Sequence, residues 1–282
     1  MASTFRMGGD LDVRRLGFGA MHLPTGPGPD RENALVVARR AVELGVTLIG
    51  TAHLYGGGAN EELLAEALHP YPEGLLITTK VGVARTGPGG DWMLGGRPEI
   101  LRDQVRQALR RLRMERIDLL QLHRIDPETP PADQLGMLRE LQGEGLVGRI
   151  GLSEVTVDEL ERARELVDVV SVQNRYNLLD REHKAVLDAC VAAGIAFLPW
   201  RPVAWGGGTR GPRPGSPPSR PSSGPRPRRS HSPGSSTTPP SSCPSRARPG
   251  LEENIAAADL KLTPAQRDRL DGLAEAAQAE SG

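Results

Sequence analysis

The sequence predicts a parallel α/β fold, and the number of its repeats favours a closed (β/α)8 barrel over an open sheet. Three observations lead there. Short apolar runs without polar alternation recur between residues 15 and 205, as in strands buried on both faces. Amphipathic stretches with helical spacing lie between them. Seven such alternations occur, which suits one barrel domain in a chain of 282 residues.

The strand candidates are Leu16–Met21, Val46–Ile49, Leu75–Thr79, Ile117–Leu122, Arg149–Leu152, Val169–Gln173 and Ile195–Pro199. Asp30–Leu44 carries Ala34, Val37, Ala38, Ala41 and Leu44 on one stripe, and Gly45 supplies a stop. Pro98–Arg113 opens with a proline suited to a first helical turn and aligns Leu101, Val105, Ala108 and Leu112. Its basic end, 110–116, suits a helix C-terminus, which favours cations. Val157–Val167 and Asp180–Ala193 repeat the pattern, the latter closed by Gly194.

The texture then breaks. Residues 206–250 contain 12 Pro, 11 Ser, 8 Gly and 8 Arg, with no Leu, Ile, Val, aromatic or acidic residue. Such a segment cannot offset its ordering entropy by burial, so it is expected to be disordered as written. It reads as a basic linker or as a stretch translated out of frame. The second reading is preferred, because the seventh helix and eighth strand of a barrel belong here. In a shifted frame, with permissive codon choices, Ser216–Pro249 becomes an amphipathic helix, an apolar strand and a Gly-Thr-Ser turn. An ordinary helical pattern resumes at Leu251. The expected architecture is one barrel-like domain over 1–282, with the seventh helix and eighth strand missing or disordered.

Bulk properties exclude several classes. Lys+Arg and Asp+Glu both total 35, so no global charge points to nucleic acid or a membrane surface. The Arg-rich segment could attract nucleic acid only non-specifically. Cys190 and Cys243 are far apart and show no metal-ligand spacing, so neither a disulfide framework nor a metal site is expected. The N-terminus lacks an apolar signal region, and no apolar run reaches membrane-spanning length. A cytoplasmic location is the expectation.

The chemistry-bearing residues follow the strands. LIGTAHLYGGGANEELLAEAL covers 48–68, the third strand ends in ITTKVG, and the fourth ends in LLQLHRID. These stretches resemble the aldo/keto reductases, which carry Asp-Thr-Ala-x-x-Tyr-Gly followed by Asn-Glu-Glu at the first of them. LGFGAMHLP, EGLVGRIGLSEV, VSVQNRYNLLDRE and AFLPWRPVA are similar to the family at the first, fifth, sixth and seventh strands. The resemblance covers 15–205 and 251–270. It implies a TIM barrel, NADPH as cofactor, a small aldehyde or ketone as substrate, and Tyr55, Lys80 and His123 as the catalytic residues.

Carbonyl reduction needs a hydride and a proton for the developing alkoxide. Tyrosine, with a pKa of about 10, is a reluctant acid at neutral pH. A neighbouring ammonium eases proton donation, which is the role implied for Lys80, while His123 can orient the carbonyl. Gly50 stands where the family has its catalytic aspartate. An unpaired, partly buried ammonium tends to lose its proton, so activity is expected to be low. His53 is expected to be an exposed loop histidine, since imidazole cannot supply the missing negative charge.

For the cofactor, the resemblance implies Ser153 and Gln173 at the nicotinamide carboxamide and Trp200 stacked on its ring. It implies Gly19 and Met21 near the ribose, and Glu253 and Asn254 at the adenine end. Glu154 replaces a usual Asn. Trp92, within 87–96 after the third strand, either lines a substrate pocket or packs. The glycines of 55–60 suggest a loop, without the Lys-Ser/Thr of a phosphate cradle. Two other readings remain: a non-catalytic dinucleotide-binding regulatory protein on the same fold, and an inactive, pseudogene-like product.

Overall fold

A β-hairpin precedes the first barrel strand, β1 (Thr4–Met7) pairing antiparallel with β2 (Leu11–Arg14). The structure, a computed structural model, describes residues 4–87, 90–202, 250–257, 260 and 262–279. The chain continues through β3 (Phe18–Gly19), α1 (Pro29–Glu43), β4 (Leu48–Gly50), a 3-10 turn (Tyr55–Gly58), α2 (Ala59–Leu68) and β5 (Leu76–Val81). A small excursion, β6 (Val83–Arg85) and β7 (Trp92–Leu94), leads to α3 (Pro98–Leu112), β8 (Ile117–Leu122) and α4 (Pro131–Gly143). Then come β9 (Val147–Ser153), α5 (Val157–Arg164), β10 (Val169–Gln173), α6 (Lys184–Ala193), β11 (Ala196–Phe197), α7 (Gly250–Ala256) and α8 (Pro264–Ala279).

Seven strands form one parallel sheet in the order β3–β4–β5–β8–β9–β10–β11, which is chain order. Strand, helix and adjacent parallel strand repeat as in a (β/α)8 barrel. The two-residue period of the strands sorts their side chains. Ile49 and Ile77 pack outward with Ala38, Leu64 and Leu112 of the helices. Leu120, Leu122, Ile150 and Leu152 do the same with Leu101, Leu138 and Leu160. Leu48, Leu76, Leu119, Val170 and Ala196 face the other way and cluster with Met7 and Val13. The hairpin therefore closes the N-terminal end of the interior. An ion pair from Arg149 to Asp10, at 2.5 Å, pins its tip. The interior positions above this apolar layer, toward the strand C-termini, carry the polar side chains.

Five of the strands expected from the sequence match sheet strands or differ by a residue or two at their ends. The first and seventh are much shorter than their apolar runs. Each pairs on one side only among the described residues, so fewer backbone hydrogen bonds extend it. Helix α6 starts at Lys184, four residues later than expected, because the Asn177 side chain accepts from the amides of Leu179 and Asp180 and holds a turn there. The hairpin and α4 were not anticipated by the sequence reading. Residues 206–249, where the seventh helix and eighth strand are expected, lie outside the described residues. Ordinary helix does return with α7, whose Leu251 and Ile255 pack against the α1 and α2 cluster.

Leu119 is fully buried in the interior apolar layer. Truncation to Ala should lower unfolding free energy by about 2–5 kcal/mol, read from urea denaturation, with the denaturant slope unchanged.

Candidate active site

Side chains on one face of β5 are Leu76, Thr78 and Lys80, rising from the apolar layer to the C-terminal mouth. Lys80 is only 3% exposed. Its Nζ donates to the Thr51 carbonyl at 2.9 Å and to the Tyr55 hydroxyl at 3.4 Å, and it lies 5.1 Å from the centre of the tyrosine ring. Among the described residues no carboxylate pairs with it. Burial pushes its pKa down to about 7, and the nearby Arg124 charge acts in the same direction.

Tyr55 follows β4 on a tight turn. The turn is fastened on several sides: Thr51 donates to Asn60 at 2.6 Å, Asn60 donates to the Ala20 carbonyl at 2.8 Å, and the His53 amide donates to the Lys80 carbonyl at 3.0 Å. Burial raises the Tyr55 hydroxyl to about 12, against an opposing pull from Arg124. His123 extends β8, its amide donating to the Val81 carbonyl at 2.8 Å. Its ring meets Tyr55 edge to face at 6.0 Å. Burial, then Lys80 and Arg124, push its pKa down to about 2, so the imidazole is neutral at ordinary pH. Its Nδ1 is buried without a hydrogen-bond partner. Tyr55, Lys80 and His123 thus come together from three strand ends.

Gly50 ends β4 directly beside Thr78 in the parallel register. A Cβ built there would meet only Thr78 Cγ2 within 4 Å, at 3.9 Å, so a methyl group fits without a clash.

Around the mouth, Ser153 and Gln173 are register partners at the ends of β9 and β10. Glu154 takes a left-handed backbone, φ 56°, and its Oε1 accepts from the Arg175 amide at 2.7 Å and from the Trp200 indole N–H. Arg124 donates to the His123 carbonyl at 2.6 Å and to Ser153 Oγ at 3.4 Å, with Glu154 3.9 Å away. Gly19 and Met21 lie at and just beyond β3, Met21 half exposed. Glu253 and Asn254 are exposed on α7.

A model of the aldo/keto reductase family matches residues 15–232. The chain belongs to that family. Among its relatives, an uncharacterised oxidoreductase of Schizosaccharomyces pombe is 46% identical over 210 residues, 73% of this chain and 67% of the relative. The pyridoxine 4-dehydrogenase of Escherichia coli is 38% identical over 72% of this chain and 73% of its own. The solved structure of a glycerol dehydrogenase from Gluconobacter oxydans superposes with a TM-score of 0.67 at 29% identity, covering 71% of this chain and 63% of that one. The aldo/keto reductases are oxidoreductases, and the strand order described above is that of their TIM barrel.

Two expectations for this aldo/keto reductase chain need correction. His53 is not an exposed loop residue: it is 8% exposed, with Nδ1 3.2 Å from Arg111 Nη1. Burial and that guanidinium push its pKa down to about 4. The basic end of α3 is also more than a complement to the helix dipole. Arg111 bonds Glu61 at 3.3 Å, and Glu61, fully buried, accepts from Thr79 at 2.6 Å. This ties α3 to α2 and β5 behind the site. The glycines of 55–58 form the 3-10 turn that carries Tyr55. Trp92, on the β6–β7 hairpin, is 44% exposed. Arg124 joins the site without having been expected there, although a charged residue straight after His123 at a strand end is a usable signal.

The lysine has a measurable signature. Its folded pKa lies below the unfolded value of about 10.4, so between pH 7 and that value the unfolded chain binds more protons. Stability should therefore rise with pH across that window, the full cost of burial being present below it. Lys80→Met should flatten the rise and stabilise the chain at pH 6 by at least about 1.4 kcal/mol, one pKa unit, in urea unfolding at pH 6 and 9.

Proposed function

We propose that this chain reduces an aldehyde or ketone to an alcohol with NADPH, and that Gly50 makes it slow. The convergence of the Tyr55 hydroxyl, the Lys80 ammonium and the neutral His123 ring at one barrel mouth carries this reading. The residues suit a nicotinamide: Ser153 and Gln173 lie side by side where they could bond a carboxamide, and Trp200 is held at the rim by Glu154. NADPH would supply the hydride. Neutral His123 donates an N–H to the carbonyl oxygen and orients it. Tyr55 passes its proton to the same oxygen, and Lys80, bonded to the Tyr55 hydroxyl, stabilises the tyrosinate left behind.

Lys80 gives that help only while protonated. With burial lowering its pKa to about 7 and no carboxylate beside it among the described residues, it holds that proton loosely. An aspartate at position 50 would restore a partner, and its Cβ would meet nothing closer than Thr78 Cγ2 at 3.9 Å. Residues 206–250 bear on the cofactor as well. If they are translated out of frame, the turn expected to grip the 2′-phosphate is lost, and NADPH binding is weak. Resequencing codons 205–252 tests that part.

The second reading, a dinucleotide-binding regulatory protein, is favoured by Gly50 and by the basic segment 206–250. Oxidation of NADPH in the presence of a panel of aldehydes and ketones separates the two. Gly50→Asp should raise kcat by about tenfold or more, and Tyr55→Phe in that background should remove about 10²- to 10⁴-fold. Full turnover of the native chain, or turnover indifferent to Tyr55→Phe, would overturn the proposal. NADPH binding without turnover in either chain supports the regulatory reading.

A further inference from the structure

The turn that carries Tyr55 has little stiffness of its own. Gly56, Gly57 and Gly58 follow the tyrosine at φ 61°, 63° and 98°. Glycine reaches this region without steric cost but loses the most freedom on being ordered, so the surroundings must select the conformation. A Cβ at Gly57 would meet nothing within 4 Å, and one at Gly56 would meet Thr25 and Ala59. At Gly58 a Cβ would overlap Nη1, Cζ and Nε of Arg111. The turn therefore lies directly on that guanidinium.

Arg111 belongs to the last turn of α3, and its side chain is 20% exposed. Nη1 donates to His53 Nδ1 at 3.2 Å and to Glu61 Oε2 at 3.3 Å, while Nη2 donates to Gln107 Oε1 at 3.0 Å. A guanidinium can only donate, so it holds His53 as the neutral ring with its proton on Nε2. His53 lies two residues before Tyr55, and Gly58 three after it. One planar cation thus touches the chain on both sides of the tyrosine. Through Glu61 and Thr79 it also reaches the residue next to Lys80 on β5.

We propose that Arg111 is a positioning residue for carbonyl reduction, a support outside the barrel that sets where the Tyr55 hydroxyl lies against Lys80 and His123. The proposal rests on the reductase reading of Tyr55. Arg111 touches no reacting atom and transfers no proton; it acts through the His53–Gly58 segment. A misplacement of about 1 Å caused far from the chemistry can cost about 10²-fold in rate. Losing the support should therefore lower kcat and leave KM alone.

Arg111→Met by itself leaves Glu61 as a buried, unpaired charge and destabilises the chain whatever else Arg111 does. The deciding variant combines Arg111→Met with Glu61→Gln, which removes that charge and keeps an acceptor for Thr79. Urea unfolding, NADPH-dependent kcat and KM, and cofactor-free NMR of isotope-labelled tyrosine are read on the full chain. The chain has three tyrosines, Tyr55→Phe assigns the Tyr55 signal, and Tyr176, packed on Phe197, is the reference. The double variant should unfold near the native midpoint, with the Tyr55 signal moved and Tyr176 unchanged. Its kcat should fall by about tenfold to 10²-fold at unchanged KM. Arg111→Lys keeps a charge for Glu61 without the planar fork, so it should behave alike and serves where the double variant folds poorly. A native Tyr55 signal with native kcat overturns the proposal, since Arg111 then only neutralises Glu61. A raised KM at native kcat overturns it too. A moved Tyr55 signal with native kcat upholds the placement and sinks Tyr55 as the acid. Because the NMR needs no turnover, it decides the placement even where no carbonyl is reduced.

Discussion

The ammonium of Lys80 inside the barrel is the constraint on which the site depends. A lysine with almost no exposed surface has lost most of its hydration, and the Thr51 carbonyl and Tyr55 hydroxyl replace only part of it. Its proton is therefore held loosely. That same arrangement positions the Tyr55 hydroxyl and, through shared burial and charge, keeps His123 neutral. Each catalytic candidate is defined by its distance from this one cation.

Holding such a group in place requires rigid surroundings, and the fold supplies them on the side away from the mouth. The period-two alternation of β5 sends Lys80 inward and Thr79 outward, where Thr79 meets Glu61 of α2. Glu61 is itself a buried charge, answered by Arg111 from α3. Breaking such a pair by removing one partner is costlier than never having had it. The helices thus lock the strand from outside while Asn60 locks the β4 turn to β3. The turn that carries Tyr55 is fastened by backbone and amide bonds, the Gly50 carbonyl accepting from the Ala20 amide among them, so the mouth can keep its shape although Gly50 lends it no side chain.

Much of this was legible in the sequence. Apolar runs and helical stripes announced the parallel strands, because strands buried on both faces leave a pattern that polar alternation cannot imitate. Tyr55, Lys80 and His123 were legible because the stretches that carry them resemble the aldo/keto reductases; taken singly, each reads as an ordinary packing or loop residue. What escaped notice depends on the third dimension. His53 reads as a loop residue until α3 covers it. Arg111 looks like one more cation at a helix end until Glu61 is found beneath it. Arg124 stood in plain view after His123, but only the curl of the sheet brings it near Ser153 and Glu154. The hairpin strands β1 and β2 are short and half polar, so their role as a plug for the interior has no signature in periodicity.

The distribution of carboxylates decides how the missing aspartate matters. Glu154 is the acidic side chain beside Arg124 at the mouth, and it could relieve Lys80 only by leaving its present partners. It is held by the Arg175 amide and the Trp200 indole, on a left-handed backbone that costs about 1–3 kcal/mol for a residue other than glycine. Releasing it would forfeit those bonds and keep the strain. Its charge therefore serves Arg124 and the rim, whereas the interior cation stays uncompensated. On the proposed reading, a single-residue change on β4 would alter the protonation of Lys80 on β5, and a Cβ there meets nothing closer than Thr78 Cγ2 at 3.9 Å. The fold accommodates Gly50 through its backbone, whose carbonyl accepts from the Ala20 amide at 2.9 Å, and no packing contact depends on a side chain there.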